Sequence, residues 1–155
     1  MMLNWSQDRR SWRYIARWYL PCLAVLNGVW EVGQVPLYTI FRENSVAYVA
    51  FAIIHCTVGD VLIGAAALLS ALILLRVPGI DGWPWSRVTL VVVVLGTGYT
   101  LVSEWMNTAL LRWQYSDLMP TISIAEIRIG VSPLLQWIMI PPLAIHLARW
   151  RVRRC

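Results

Sequence analysis

Apolar side chains gather into four long segments that are separated by shorter polar stretches. The segments run over residues 14–38, 46–75, 88–111 and 131–148. A helix of about 17 to 25 apolar residues is long enough to cross the hydrocarbon core of a bilayer. Turn-forming residues mark the ends, with Pro36 near the end of the first segment and a Pro- and Gly-rich stretch at 77–87 between the second and the third. The pattern therefore predicts four membrane-spanning helices.

Composition supports the same interpretation. Hydrophobic residues make up 59% of the 155 residues and charged residues make up 14%. Soluble domains carry about 45–50% apolar and about 25% charged residues. This excess excludes a disordered chain and a coiled coil, and it argues against a water-soluble domain. We expect an all-α integral membrane protein, a four-helix transmembrane bundle that forms a single domain over residues 1–155.

The distribution of arginine predicts the orientation. All thirteen basic residues are arginine, and ten of them flank the segment ends on the same side as both termini. Only Arg42, Arg112 and Arg128 flank the opposite ends. Cytoplasmic flanks of spanning helices are enriched in Lys and Arg, so both termini are expected to be cytoplasmic, in a bacterial-type inner (plasma) membrane. The arginines form no exposed stripe with interleaved aromatics, and a nucleic-acid partner is not expected.

Polar residues inside the apolar segments recur at helical spacing. Residues at i, i+4 and i+7 lie on one face of a helix. The polar positions are Asn27, Glu31 and Gln34 in the first segment, His55 and Asp60 in the second, Glu104 and Asn107 in the third, and Gln136 in the fourth. His55 and Asp60 are five residues apart and point about 140° away from each other.

The depth of these groups can be counted from the arginine at the inner end of each segment. At about 1.5 Å per residue, Glu31, Asp60, Glu104 and Gln136 all lie roughly 20–26 Å from that arginine. Four segments thus place polar groups at one level in the outer half of the bilayer. We expect a polar site inside the bundle that opens toward the periplasmic or outer side.

Two interpretations of these acids remain open. In the first, Glu31, Glu104, Asp60 and His55 are catalytic, and repulsion between neighbouring carboxylates leaves one of them protonated and able to act as a general acid. The same groups are also a possible site for a divalent metal, although no HxxH or ExxH spacing supports it. In the second, the acids bind neighbouring amides and lock the helices together.

Further side chains near this level are candidates for substrate binding. Three tryptophans, Trp30, Trp105 and Trp137, follow or precede a polar residue of the cluster. They would form an aromatic wall for an isoprenoid or other lipid, or face the bilayer as belt residues. The predicted binding set is Asn27, Gln34, Asn107, Gln136, Trp30, Trp105 and Tyr115.

The leading functional hypothesis is an acid–base enzyme acting on a lipid or isoprenoid substrate. The chain has no GxSxG, HExxH, CxxC or Gly-rich phosphate loop. One alternative is a non-catalytic subunit or assembly factor of a membrane complex, and another is a proton- or metal-coupled transporter. The expected partners are membrane lipid and, for the alternatives, other membrane protein subunits or a second copy of the chain.

Overall fold

Helices dominate the computed structural model, which describes residues 4–110, 112–124 and 127–154. Three helices are long and apolar enough to cross a membrane: α4 (Val46–Leu74), α5 (Trp85–Ala109) and the Val131–Val152 part of α6 (Val131–Arg154). They coincide closely with three of the four predicted segments. The chain is therefore a membrane protein by the length and composition of its helices.

The first predicted segment differs from the other three. It begins earlier than expected, with helix α1 (Arg9–Tyr14), passes through a π-helical turn (Ile15–Tyr19) and continues as α2 (Leu20–Gln34). Pro21 lies two residues after the π turn, and it has no N–H to donate to the preceding turn, which is where such irregularities arise. Pro36 lies in a 3₁₀ turn (Val35–Leu37) that ends the helix before residue 38. Neither piece alone has the length of a spanning helix. A single turn of helix, α3 (Ile40–Glu43), follows before α4 begins.

The long helices pack in a ring. Helix α2 contacts α4 and α6, and α5 contacts the same two helices. The apolar core occupies the half of the ring nearer the termini, where Leu23, Leu68, Leu72 and Val92 are each at most 1% exposed. Gly64 allows close packing here, because a methyl group in its place would overlap the side chain of Leu23. The other half of the ring holds the polar residues.

The N-terminal end of the chain is tied to the loop between α4 and α5. Asp8 caps α1, accepting hydrogen bonds from the backbone N–H of Arg10 at 3.0 Å and the hydroxyl of Ser11 at 2.8 Å. The oxygen that accepts the Ser11 bond, Oδ2, also accepts a hydrogen bond from the N–H of Ile80 at 2.9 Å. One carboxylate therefore joins a helix N-terminus to a loop seventy residues away in sequence.

A β-hairpin lies at the opposite end. Strands β1 (Thr121–Ile124) and β2 (Ile127–Gly130) pair antiparallel, with Thr121 opposite Gly130. Isoleucine recurs at positions 122, 124, 127 and 129, a pattern that predicts an extended or surface-lying stretch, and the described strands are extended. The segment before the hairpin is pinned to the end of α2, because Thr39 N–H donates to Gln114 O at 3.0 Å and Ser116 N–H donates to Leu37 O at 2.9 Å.

Candidate functional site

Gln136 on α6 is the centre of a buried hydrogen-bond network. Its side-chain amide nitrogen lies 2.8 Å from Asn27 Oδ1, 2.8 Å from Asp60 Oδ2 and 3.2 Å from Glu31 Oε1. A primary amide carries two hydrogens, so three acceptors compete for two protons. One side chain of α6 therefore joins α2 and α4 through groups that the sequence places in separate segments.

Gln34 completes the network on α2. Its amide nitrogen donates to Glu31 Oε1 at 2.6 Å and to Gln136 Oε1 at 3.1 Å. Its oxygen accepts from the hydroxyl of Ser132 at 2.8 Å and from the indole of Trp30 at 3.2 Å. The side chains of these residues are thereby held in fixed orientations, which is a requirement for both a working site and a structural lock.

The carboxyl groups of Glu31 and Asp60 lie beside the same amide nitrogen, that of Gln136, at 3.2 Å and 2.8 Å, and are therefore close to each other. Glu31 is 7% exposed and Asp60 is partly buried. The packing of α2 against α4 brings together two acids that lie twenty-nine residues apart in sequence. Amide locks between helices need no second acid, so this pairing is the feature of the network that points to chemistry.

Glu104 forms a second acid site next to the first. The hydroxyl of Tyr115 donates a short hydrogen bond to its carboxylate, and the Tyr115 ring packs against that of Tyr38, with centroids 5.7 Å apart. Glu104 interacts electrostatically with Glu31, so the two sites are neighbours. Tyr115 lies outside the spanning segments, where burial and the contact with Glu104 raise the pKa of its hydroxyl. Tyr115 therefore remains a protonated donor to Glu104 at neutral pH.

Most of the predicted site residues thus lie close together. Six of them are hydrogen-bonded around the two acid sites, and all of these are buried except Asp60, which is partly buried. They are Asn27, Glu31, Gln34, Asp60, Glu104 and Gln136. Tyr115 and Trp30 join them through Glu104 and Gln34 respectively.

Three predicted site residues lie elsewhere. His55 is exposed on α4, with its ring 5.7 Å from that of Phe51, and does not face the acids. Asn107 bonds within α5, donating to Ser103 O at 2.8 Å. Trp105 is 48% exposed on the outer face of the ring. Helix α4 runs unbroken through Gly59, and residues five apart on a helix point about 140° away from each other, so His55 lies away from Asp60 and is not part of the acid cluster.

Packing corrects the expectation for Trp137 and adds another aromatic residue to the site. Trp137 does not face the bilayer or line a substrate site, because it is 3% exposed and lies against Gly96 of α5. Tyr38, which no sequence pattern singled out, lies beside the Glu104 site through its ring contact with Tyr115. Its position two residues after Pro36, at the end of a polar helix face, was the available signal.

A lateral groove of about 400 Å³ runs between α2 and α6 and ends at the network. Its walls are mainly apolar and include Leu26, Met139 and Leu143. Its polar lining consists of Gln34, Ser132 and Trp30, which are the residues bonded to one another at the edge of the acid cluster. Along α6 the groove extends for eleven residues, about 16 Å.

A metal centre finds no support in the described part of the chain. Among residues 4–110, 112–124 and 127–154, no three His, Cys, Asp or Glu side chains converge with the spacing of a metal site. The acids are instead paired with amide and hydroxyl donors.

Comparison with known proteins provides no functional assignment. No protein-family model, no curated protein and no solved structure matches the chain.

Proposed function

We propose that this protein is an intramembrane acid–base enzyme that acts on a lipid or isoprenoid substrate in the outer half of the bilayer. The single observation that carries the proposal is the meeting of Glu31 and Asp60 beside one buried amide, that of Gln136. Two carboxyl groups this close and largely away from water favour a state with one proton between them, because two negative charges repel strongly at low dielectric. That proton is available for general-acid catalysis.

The proposed topology is a four-helix transmembrane bundle with both termini cytoplasmic, in a bacterial-type inner membrane. Residues 9–34 follow one helical path through the π turn, which at about 1.5 Å per residue is roughly 39 Å long and sufficient to span. The arginine asymmetry supports the orientation. A reporter fused to the C-terminus should then be cytoplasmic.

The groove between α2 and α6 is the proposed entry for substrate. It faces the bilayer, since its lining residue Val29 is 70% exposed on the outside of the ring. A chain lying in it would bring a polar end to Gln34 and Ser132, one hydrogen bond away from Glu31. The substrate would enter sideways from the lipid without crossing an aqueous opening.

Glu104 and Tyr115 are proposed to assist the pair. Glu104 lies nearer the hairpin end of the ring, and Tyr115 belongs to the segment that covers it. This second acid site would return a proton to the first after each cycle. A general acid needs such a route, because the interior of the bundle is otherwise apolar.

The test compares lipid extracts of membranes that contain matched variants. Wild-type protein and Glu43→Gln, an exposed acid outside the cluster, should change the same lipid species relative to cells without the protein. Glu31→Gln and Asp60→Asn should leave those species unchanged while still folding in the membrane, since an amide cannot donate the carboxylic proton.

The alternatives make different predictions in the same experiment. A non-catalytic subunit or assembly factor would leave the lipid profile unaltered for all variants and would co-purify with a stable partner. A proton-coupled transporter would show Glu31-dependent proton flux in sealed vesicles without lipid turnover. Either result would replace the enzymatic proposal.

A further inference from the structure

A second pocket lies at the opposite end of the molecule from the acid cluster. It has a volume of about 180 Å³ and forms where α1, the loop after α4 and the end of α6 meet. Two arginines, Arg10 and Arg149, contribute to its lining together with a single acid, Asp81. The pocket lies at the end of the helices where most of the arginines of the chain are found.

The two arginines are held in place by different contacts. The guanidinium of Arg149 lies over the ring of Trp85, 4.9 Å from its centroid, which fixes the charge at the pocket wall. Arg10 forms an ion pair with Asp81 at 2.5 Å, and their side chains are 56% and 78% exposed. An ion pair this exposed contributes little free energy, so a stronger anion can replace the Asp81 carboxylate.

The rest of the lining is apolar and aromatic. Ile80, Tyr14 and Val152 form the wall beside the charges, and the hydroxyl of Tyr14 is already committed to Ile145 O at 3.2 Å. A small inorganic anion would leave this wall uncovered. An anion attached to an apolar body fills both parts, and basic pockets between helices at the cytoplasmic face suit lipid head groups.

We propose that this pocket binds a phosphate group, that of an anionic phospholipid in the leaflet that faces the termini. Arg10 and Arg149 bind the phosphate oxygens, since guanidinium groups match phosphate geometry. Asp81 competes for Arg10 in the unoccupied pocket. The site is separate from the acid cluster, and the proposal does not depend on any reaction there.

The test measures binding of phosphatidylglycerol to the purified full chain in detergent, by native mass spectrometry and by the rise in melting temperature. Phosphatidylcholine, which carries the same phosphate but no net charge, is the reference lipid. Arg10→Gln and Arg149→Gln should each weaken phosphatidylglycerol binding about tenfold, the effect of losing one charge-assisted hydrogen bond. The matched controls Arg9→Gln and Arg151→Gln, exposed arginines next to the pocket, should bind like wild type.

Asp81→Asn provides a change in the opposite direction. Removing the competing carboxylate should tighten phosphatidylglycerol binding, whereas a pair that merely joins α1 to the loop would show no gain. Asp81 is exposed, so this variant should fold and keeps the proposal falsifiable even if Arg149→Gln is unstable.

Inorganic phosphate tests whether the pocket binds the phosphate of a lipid or free phosphate. Competition between phosphate and phosphatidylglycerol in wild type, lost in Arg10→Gln, supports the assignment. Phosphate binding without phosphatidylglycerol binding would overturn the lipid as the occupant. Equal phosphatidylglycerol affinity in Arg10→Gln, Arg149→Gln and their controls would overturn the site itself.

Discussion

The hydroxyl of Tyr115 lies between the carboxylate of Glu104, to which it donates, and the backbone of Gly130, whose N–H donates to it at 3.0 Å. One phenol thus joins helix α5 to the last residue of the hairpin. A methyl group at Gly130 would lie 3.1 Å from both the Tyr115 ring and Met119 Sδ, so a side chain there would force these neighbours to shift. The hairpin end of the molecule is therefore fixed to the acid cluster through Tyr115.

Tyr115→Phe should loosen this connection. Losing a hydrogen bond to a charged group costs about 2 kcal/mol, and we expect that decrease in the free energy of unfolding in mixed micelles. Faster proteolysis of the segment 113–130 in native conditions should accompany it. Tyr99→Phe on the exposed face of α5 is the control and should behave like wild type. Equal protection of the segment in both variants would show that Tyr115 does not hold it.

Gln136→Leu should be the most destabilising change in the polar network. It removes the donor shared by Asn27, Glu31 and Asp60 and leaves their oxygens buried without it. We expect a loss of about 3 kcal/mol or more in unfolding free energy. The same substitution at Gln114, whose side chain is exposed, should have little effect. A stable Gln136→Leu protein would mean that the network contributes little to the fold.

Two glycines of α5 provide a matched pair for packing. A methyl group at Gly96 would overlap the indole of Trp137, whereas at Gly98 it would meet no heavy atom within 4 Å. Gly96→Ala should therefore cost about 1–3 kcal/mol through overpacking. Gly98→Ala should be neutral or slightly stabilising, since alanine favours the helix by about 0.5–1 kcal/mol. Thermal unfolding of the two variants side by side measures the difference, and equal melting temperatures would contradict the α5–α6 packing.

Asp8 should make stability fall at acid pH. Burial alone would raise its pKa, but the hydrogen bonds from Ile80, Ser11 and Arg10 outweigh it and hold the pKa below the ordinary 3.8. A carboxyl group whose pKa is lower in the folded than in the unfolded protein stabilises the fold at pH values above its unfolded pKa. That contribution is lost as the pH falls through the pKa of the folded state.

Unfolding free energy measured from about pH 6 down to about pH 2 checks this dependence. Asp8→Asn should be less stable than wild type at pH 6 and should lose less on acidification. Asp117→Asn, an exposed acid in the opposite end of the chain, should follow the wild-type curve. Parallel curves for wild type and Asp8→Asn would show that Asp8 does not cause the acid sensitivity.

Much of the secondary structure is determined locally and was predicted from the sequence. A run of apolar residues such as 46–75 forms a helix because its backbone groups must be satisfied within the segment, and α4 spans Val46–Leu74. The break in the first segment was not predicted. Hydropathy is insensitive to a π turn, which depends on how Pro21 and its neighbours satisfy their hydrogen bonds.

The periodicity and depth of the polar residues also predicted which acids to examine. Glu31 and Asp60 lie at nearly one level because similar numbers of residues, 14 and 16, separate them from Arg17 and Arg76 at the inner face. Periodicity alone did not exclude His55 from the site, because the exposure of its side chain depends on which helices pack against α4. Tyr38 and Ser132 joined the site through contacts between segments more than sixty residues apart in sequence.

The amino-acid sequence by itself determined that helices form, that three of them are long and apolar enough to cross a membrane, and where along each the polar groups fall, because these properties follow from local composition and the helical repeat. The tertiary structure alone decided which polar groups touch. The rotation of each helix about its axis is set by packing at residues such as Gly64, Gly96 and Trp137, and that rotation turns Glu31 and Asp60 toward Gln136 while leaving His55 and Trp105 outside.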